Sequence, residues 1–185
     1  MIQLRILLVI FIGTTYACFA QNVYKAKDGN VKFFSDAPLE DIEATSKKGS
    51  AAFNIASSEI AALVPIKSFT FQNALMQEHF NENYLESEKY PNASFKGKVA
   101  EQVIPEPGSS KTIDVAGDLT IHGVTKKRTI PVTFKFGNDG SIQVTSKWMV
   151  ALADHNIKIP QLVFQNIAEQ IEVTLDLNLS LPHEK

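Results

Sequence analysis

Cysteine occurs once in the 185 residues, at Cys18, and tryptophan once, at Trp148. A lone cysteine closes no disulfide within its own chain, so the fold has to rest on its apolar core. An excess of positive charge is also missing: 18 Lys and Arg stand against 20 Asp and Glu, for a net charge of −2. No basic stripe is present, which argues against a nucleic-acid partner. The one basic cluster, Lys126 to Arg128, follows Gly123 and is expected at a solvated hairpin end. No stretch approaches the roughly 18 to 20 consecutive apolar residues of a transmembrane helix. Phosphate-binding and dinucleotide-binding glycine loops, the Gly-x-Ser-x-Gly elbow and the His-x-x-x-His spacing of a helical zinc site are absent too. Internal repeats, low-complexity tracts and linkers are lacking, so a single domain is expected.

What is present begins with "MIQLRILLVIFIGTTYACFAQ", in which Arg5 is the only charge and an apolar run from Ile6 to Ile12 leads to a small-x-small ending at Ala20. That pattern predicts a secretory signal peptide over residues 1–20 and an exported, periplasmic or secreted protein. Lipid attachment through Cys18 is the less favoured reading, because the bulky Tyr16 stands where a small residue is usual. Cleavage after Ala20 removes 20 of 185 residues and leaves 165, which suits one domain over residues 21–185. It also discards Cys18 and Arg5, for 17 basic residues against 20 acidic ones.

The second half of the chain alternates apolar and polar residues with a period of two. The apolar sets are Ile113, Val115, Leu119 and Ile121; Ile130, Val132, Phe134 and Phe136; Ile142, Val144, Trp148 and Val150; and Ile171, Val173, Leu175, Leu177 and Leu179. Such segments predict antiparallel strands with one dry face. Turn signals separate them at 122–125 and 137–140, the second being the hairpin-forming "GNDG". In the first half "NVYKAKD", "NVKFFSDA", "AAFNI", "KSFTFQ" and "ASFKGKVAEQVI" look strand-like. Eight to ten strands without βαβ alternation predict an all-β fold, either a closed antiparallel barrel or a sandwich.

One segment breaks this pattern. In "LMQEHFNENYLESEKYPNASFKGKV", Met76, Phe80 and Tyr84 recur every four residues, which predicts an amphipathic helix over 74–87 with Asn73 as its N-cap. An eight-stranded barrel is either filled by its side chains or hollow enough for one small ligand. Periodicity does not separate the two.

The stretches "HFNENYLESEKYPNASFKGKV", "VAGDLTIHGVTKKRTIPVTF" and "DHNIKIP", with the closing alternating strand, resemble the YceI-like family over roughly residues 66–181. The resemblance implies a lipocalin-like antiparallel barrel of about eight strands whose hydrophobic cavity takes a polyisoprenoid, such as an isoprenoid quinone. "LMQEHFNENYLES" is similar to Bacteroidetes-type members. The chain departs from the family where a Tyr-x-Ile-Asp strand is usual and where an Arg-Asp pair commonly opens the helix, so the polar end of the pocket is expected to differ.

On this reading the helix lines or gates the cavity with Met76, Phe80 and Tyr84, a thioether and aromatic rings suited to a floppy apolar chain. Strand phase adds Phe71, Phe95, Leu119, Ile121, Phe134, Trp148, Val150 and Leu175 as ligand-facing candidates. A one-residue register slip would turn the strand residues outward. His79, His122, Asp154 and His155 form a candidate polar rim, with ordinary turn hydrogen bonds as its simplest role. The expected function is non-catalytic binding or carriage of an isoprenoid lipid, with no catalytic residues, no metal and no cofactor beyond that lipid. A homodimer remains open. The alternatives are a metalloprotein or enzyme using the rim histidines, and a structural or stress protein with a filled barrel. The sequons at Asn92 and Asn178 matter only in a eukaryotic secretory pathway.

Overall fold

In the computed structural model, residues 22–37, 39, 41–159 and 167–182 are described. The expected signal peptide and Cys18 lie outside them, as does His183. The strands are β1 (Val23–Ser35), β2 (Ile42–Asn54), β3 (Glu59–Pro65), β4 (Thr70–Phe71), β5 (Asn92–Val99), β6 (Ser110–Ile121), β7 (Val124–Phe136), β8 (Ile142–Ala151) and β9 (Gln170–Leu179). Each pairs antiparallel with its neighbours in the order β1, β9, β8, β7, β6, β5, β3, β2, and a β1–β2 ladder closes the circle. The result is an all-β, eight-stranded closed barrel, with the two-residue β4 added to the edge of β2 at Ala44 and Thr45. Closure leaves no open sheet edge in the barrel wall.

Local chemistry explains the strand boundaries. The two strands read from "NVYKAKD" and "NVKFFSDA" are one, β1, which bulges where Asp28 adopts φ 59° and the register against β2 shifts. "AAFNI" is the end of the longer β2. β3 is the strand without a sequence signal, because its alanines, in "EIAALVP", blur the alternation. "KSFTFQ" pairs only at Thr70 and Phe71. The β6–β7 hairpin turns through His122 (φ 50°) and Gly123 (φ 70°), the paired positive φ values of a type I′ turn. Lys126 to Arg128 are therefore inside β7 rather than at the hairpin end.

The helical segment is shorter and less regular than the stripe predicts. Asn73 caps it, its side-chain oxygen accepting from the amides of Leu75 and Met76. After one α-helical run, α1 (Ala74–His79), the chain widens into a π-turn over Phe80–Tyr84, in which the amide of Leu85 donates to the carbonyl of Phe80. The amide of the Asn81 side chain donates to the Gln77 carbonyl within this transition. Single π-turns of this kind re-aim the side chains they carry.

The barrel is filled in one half and hollow in the other. In the half near the 137–140 turn, Phe53, Val115, Phe134, Ile142, Val144, Leu177 and Leu179 are almost completely buried and form the main core. Near the opposite end, where α1 lies, two smaller clusters surround Phe33, Val64 and Phe69, and Ile66, Leu85, Leu152 and Ile157. At Gly29 an added Cβ would fall 1.8 Å from a Leu177 methyl, so the bulge brings the backbone of β1 hard against the filled half.

Candidate functional site

Two adjoining apolar chambers occupy the hollow half. The inner one has a volume of about 120 Å³ and lies inside the barrel. Its floor is made by Trp148, Phe95, Leu175 and Ala62, which pack against the main core on their other side. Leu119, Ile121, Val150, Ile171 and Val173 contribute to its walls. The outer chamber, about 320 Å³, lies under the helix and is bounded by Ser35, Ile42, Phe71, Met76, His79 and Tyr84. Phe33, Phe80, Leu85, Leu152, Ile157 and Ile171 border both chambers.

Phe80 forms the partition. Its ring is stacked on Phe33 at 5.3 Å and tilted against Phe71 at 5.0 Å, with Phe69 edge-on at 5.8 Å. Four phenylalanines from β1, β4, the segment before it and the π-turn thus meet at one point. Centroid separations of this size are those at which aromatic pairs attract one another beyond simple burial. The π-turn is what delivers Phe80 to this cluster. Beside the outer chamber, burial pushes the Tyr84 phenol above its ordinary value.

Polar chemistry gathers at one side of the mouth. The β7–β8 ladder stops at Val132 opposite Ser146, because Pro131 offers no amide to continue it. Ser146 donates its hydroxyl to the Pro131 carbonyl at 2.6 Å. Beyond that point side chains of the short 3₁₀ turn Leu152–His155 join the two strands. His155, fully buried, donates from Nδ1 to the carbonyl of Val124 at 3.0 Å, and Arg128 donates from Nη2 to Asp154 at 2.7 Å. His122 donates from Nδ1 to the carbonyl of His155 at 3.1 Å and meets the Glu86 carboxylate through Nε2 at 2.7 Å. Tyr90 stands edge-on to the His122 ring, 4.7 Å between centroids. Glu86, held at φ 43°, ties the end of the helical segment to the barrel through this contact. Desolvation lowers the His155 imidazole from its ordinary value of 6.5, which keeps it neutral.

The sequence candidates therefore separate into groups. Phe80, Phe95, Leu119, Ile121, Trp148, Val150 and Leu175 line the inner chamber, and Phe71, Met76, Phe80 and Tyr84 the outer. Phe134 lies in the filled half instead, 5.2 Å from the ring of Phe53, because β7 contributes its apolar face to the core and not to the mouth. His122, Asp154 and His155 come together. His79 does not join them; it borders the outer chamber on α1. Among the described residues no three His, Cys, Asp or Glu side chains are grouped to hold a metal ion. Sequence reasoning passed over Phe33, Phe69, Arg128 and Glu86. The "FTF" alternation that pointed to Phe71 also carries Phe69, whereas nothing local signals that Glu86 reaches His122, 36 residues away.

A family profile for the YceI-like domain matches residues 24–179. The chain belongs to the YceI-like family. A UPF0312 protein of Vibrio parahaemolyticus is 38% identical over 88 residues, covering 46% of this chain and 44% of that protein. A UPF0312 protein of Pseudomonas putida is 28% identical over 173 residues, covering 88% of this chain and 72% of the relative. The first alignment thus spans under half of the relative's length. Among solved structures, a polyisoprenoid binding domain from Saccharophagus degradans, implicated in plant cell wall breakdown, superposes with a TM-score of 0.76 at 15% identity. The match covers 88% of this chain and 99% of that one. Burkholderia cenocepacia BcnA gives 0.68 at 19% identity, over 82% and 96%. At these identities the likeness is one of fold.

Proposed function

We propose that this YceI-like barrel is a non-catalytic binding protein that sequesters or carries an isoprenoid lipid, such as an isoprenoid quinone, outside the cytoplasm. The observation that carries the reading is the half-hollow barrel: an almost wholly apolar inner chamber closed by one phenylalanine and continued by a second chamber beneath a short helix. An apolar, concave, largely preformed site of this kind suits an apolar ligand. Each methylene withdrawn from water contributes about 0.8 kcal/mol, so a prenyl chain of a few units binds without any charged contact. The polyisoprenoid-binding neighbour of the same fold supports the same ligand class. The signal-like N-terminus supports export to the periplasm or beyond.

The test is mass spectrometry of an organic extract of the protein, purified without detergent from a bacterial host. A prenyl lipid recovered at near one per chain is the expected result. Repeated preparations without lipid, together with no binding of added isoprenoid quinone, would sink the proposal. The intact mass of the exported protein tests cleavage after Ala20.

A further inference from the structure

One stretch of the barrel wall is held differently from the rest. β7 pairs with β6 from Val124 to Lys135, but with β8 only from Val132 to Phe136. β8 in turn stays paired with β9 as far as Ala151 opposite Gln170. No ladder therefore joins Val124–Pro131 of β7 to Lys147–Ala151 of β8, and the 3₁₀ turn Leu152–His155 fills the gap.

The turn is fixed unequally on its two sides. Towards β9 it has a backbone bond, the Leu152 amide donating to the Glu169 carbonyl. Towards β7, among the described residues, only side chains hold it: Asp154 accepts from Arg128, and His155 donates to the Val124 carbonyl. His122, in the β6–β7 turn, adds a bond to the His155 carbonyl. The Arg128 and Asp154 side chains are 32% and 42% exposed, and an ion pair that meets water is a weak tie.

Polar accounting fails at the same place. Asn81 Oδ1, Arg128 Nε, Trp148 Nε1 and His155 Nε2 are the buried side-chain polar atoms without a hydrogen-bond partner among the described residues. Three of these four belong to the gap: Arg128 to its β7 side, Trp148 to its β8 side and His155 to the turn between them. Unpaired buried polar atoms are few in folded proteins, and each is costly. The cost of keeping the wall shut is thus concentrated where no ladder holds it, and water admitted on opening relieves it. Leu152 and Ile157 border both chambers, and the Ile157 amide donates to the Leu152 carbonyl, so the two move as one piece.

We propose that this turn is the door of a side port. It swings on its Leu152–Glu169 tie, releases Arg128 and Val124, and opens both chambers through the wall between β7 and β8. The inference rests on the lipid-carrier reading and adds to it the route of entry. A long apolar ligand enters broadside and is not threaded end-on beneath the helix; only the ring of Phe80 then has to move aside.

The experiment follows N-phenyl-1-naphthylamine, an apolar dye whose emission rises on leaving water, by equilibrium titration and by stopped-flow mixing. Wild type is compared with Asp154→Ala, which removes the tie to Arg128, and with Asp118→Asn, which removes an ion pair with Lys127 on the outer wall. Asp154→Ala is expected to speed uptake and release about fivefold each, the loss of one partly exposed pair, with affinity kept within about twofold. Asp118→Asn should match wild type. Wild-type rates in Asp154→Ala, or equal acceleration in both variants, overturn the side port, while equilibrium binding of the dye leaves the carrier reading standing. If wild type takes up no dye, both fall together. Hydrogen exchange of the wild type needs no variant. The Asn156 and Ile157 amides, bonded within the turn, should open far more readily than those of the β8–β9 ladder. Equal protection overturns the port even if Asp154→Ala folds poorly.

Discussion

The ring of Phe80 lies face to face with that of Phe33, centroids 5.3 Å apart and planes 20° from parallel, and this contact divides the hollow half of the barrel in two. Removing one ring should join the chambers. Phe80→Ala is expected to cost about 1 to 3 kcal/mol of stability, less than a fully buried phenylalanine because Phe80 is only half-buried. It should also speed both uptake and release of a prenyl probe. Stopped-flow fluorescence beside urea unfolding checks this; unchanged rates would show that Phe80 does not limit passage.

Gly117 lies opposite Gly97 on the β5–β6 ladder, beneath the ring of Phe95. A Cβ at Gly117 would stand 2.4 Å from the Lys96 carbonyl and 2.7 Å from the Gly97 Cα, both backbone atoms that cannot swing aside. Gly117→Ala should therefore force the strands apart and displace the Phe95 floor, at a cost of about 1 to 3 kcal/mol. Urea denaturation of the variant against wild type measures it.

His155 makes stability depend on pH with a definite sign. Its folded value is lowered below 6.5 by burial, so the unfolded chain takes up the proton first. The contribution is complete above pH 6.5 and is lost as the pH falls below that value towards the folded one. His155→Phe should remove this acid-side slope. It should also lower stability at pH 7.5 by about 1 to 3 kcal/mol, because the Val124 carbonyl loses its donor. Thermal melts of both proteins from pH 7.5 to 5 give the comparison, and parallel curves would refute the assignment.

Glu86 anchors the end of the helical segment by its contact with His122. Glu86→Gln keeps the shape and loses the charge. The pair is partly exposed, so the expected cost is small, about 0.5 to 1 kcal/mol. The sensitive readout is hydrogen exchange: amides at 85–90 should exchange faster, while those of β8 and β9 keep their protection.

Much of this architecture was legible in the sequence, and the limits are physical. Period-two alternation located β6 to β9 and the phase of Trp148, Val150 and Leu175, because a barrel strand has one dry face. The same rule could not tell that Phe134 faces a filled core while Trp148 faces a cavity, since both point inward at different heights. β3 escaped because alanines fit either face. The helix stripe was real, but the π-turn after His79 depends on how Phe80 packs against Phe33, a contact between residues 47 positions apart. Asp154 and His155 could be suspected at a strand end. Their partners Arg128 and Val124 follow from the interruption at Pro131, whose effect appears only when β7 is laid beside β8.

The separation of a dense end from an empty one has a further consequence. Phe53, Phe134, Ile142, Leu177 and Leu179 hold the fold together at a distance from the chambers. Substitutions around Met76, Phe71 and Tyr84 therefore act on a part of the molecule that folding does not chiefly depend on. A barrel divided in this way has room to change what it carries while its melting behaviour stays nearly constant, so specificity and durability can drift independently in one small domain.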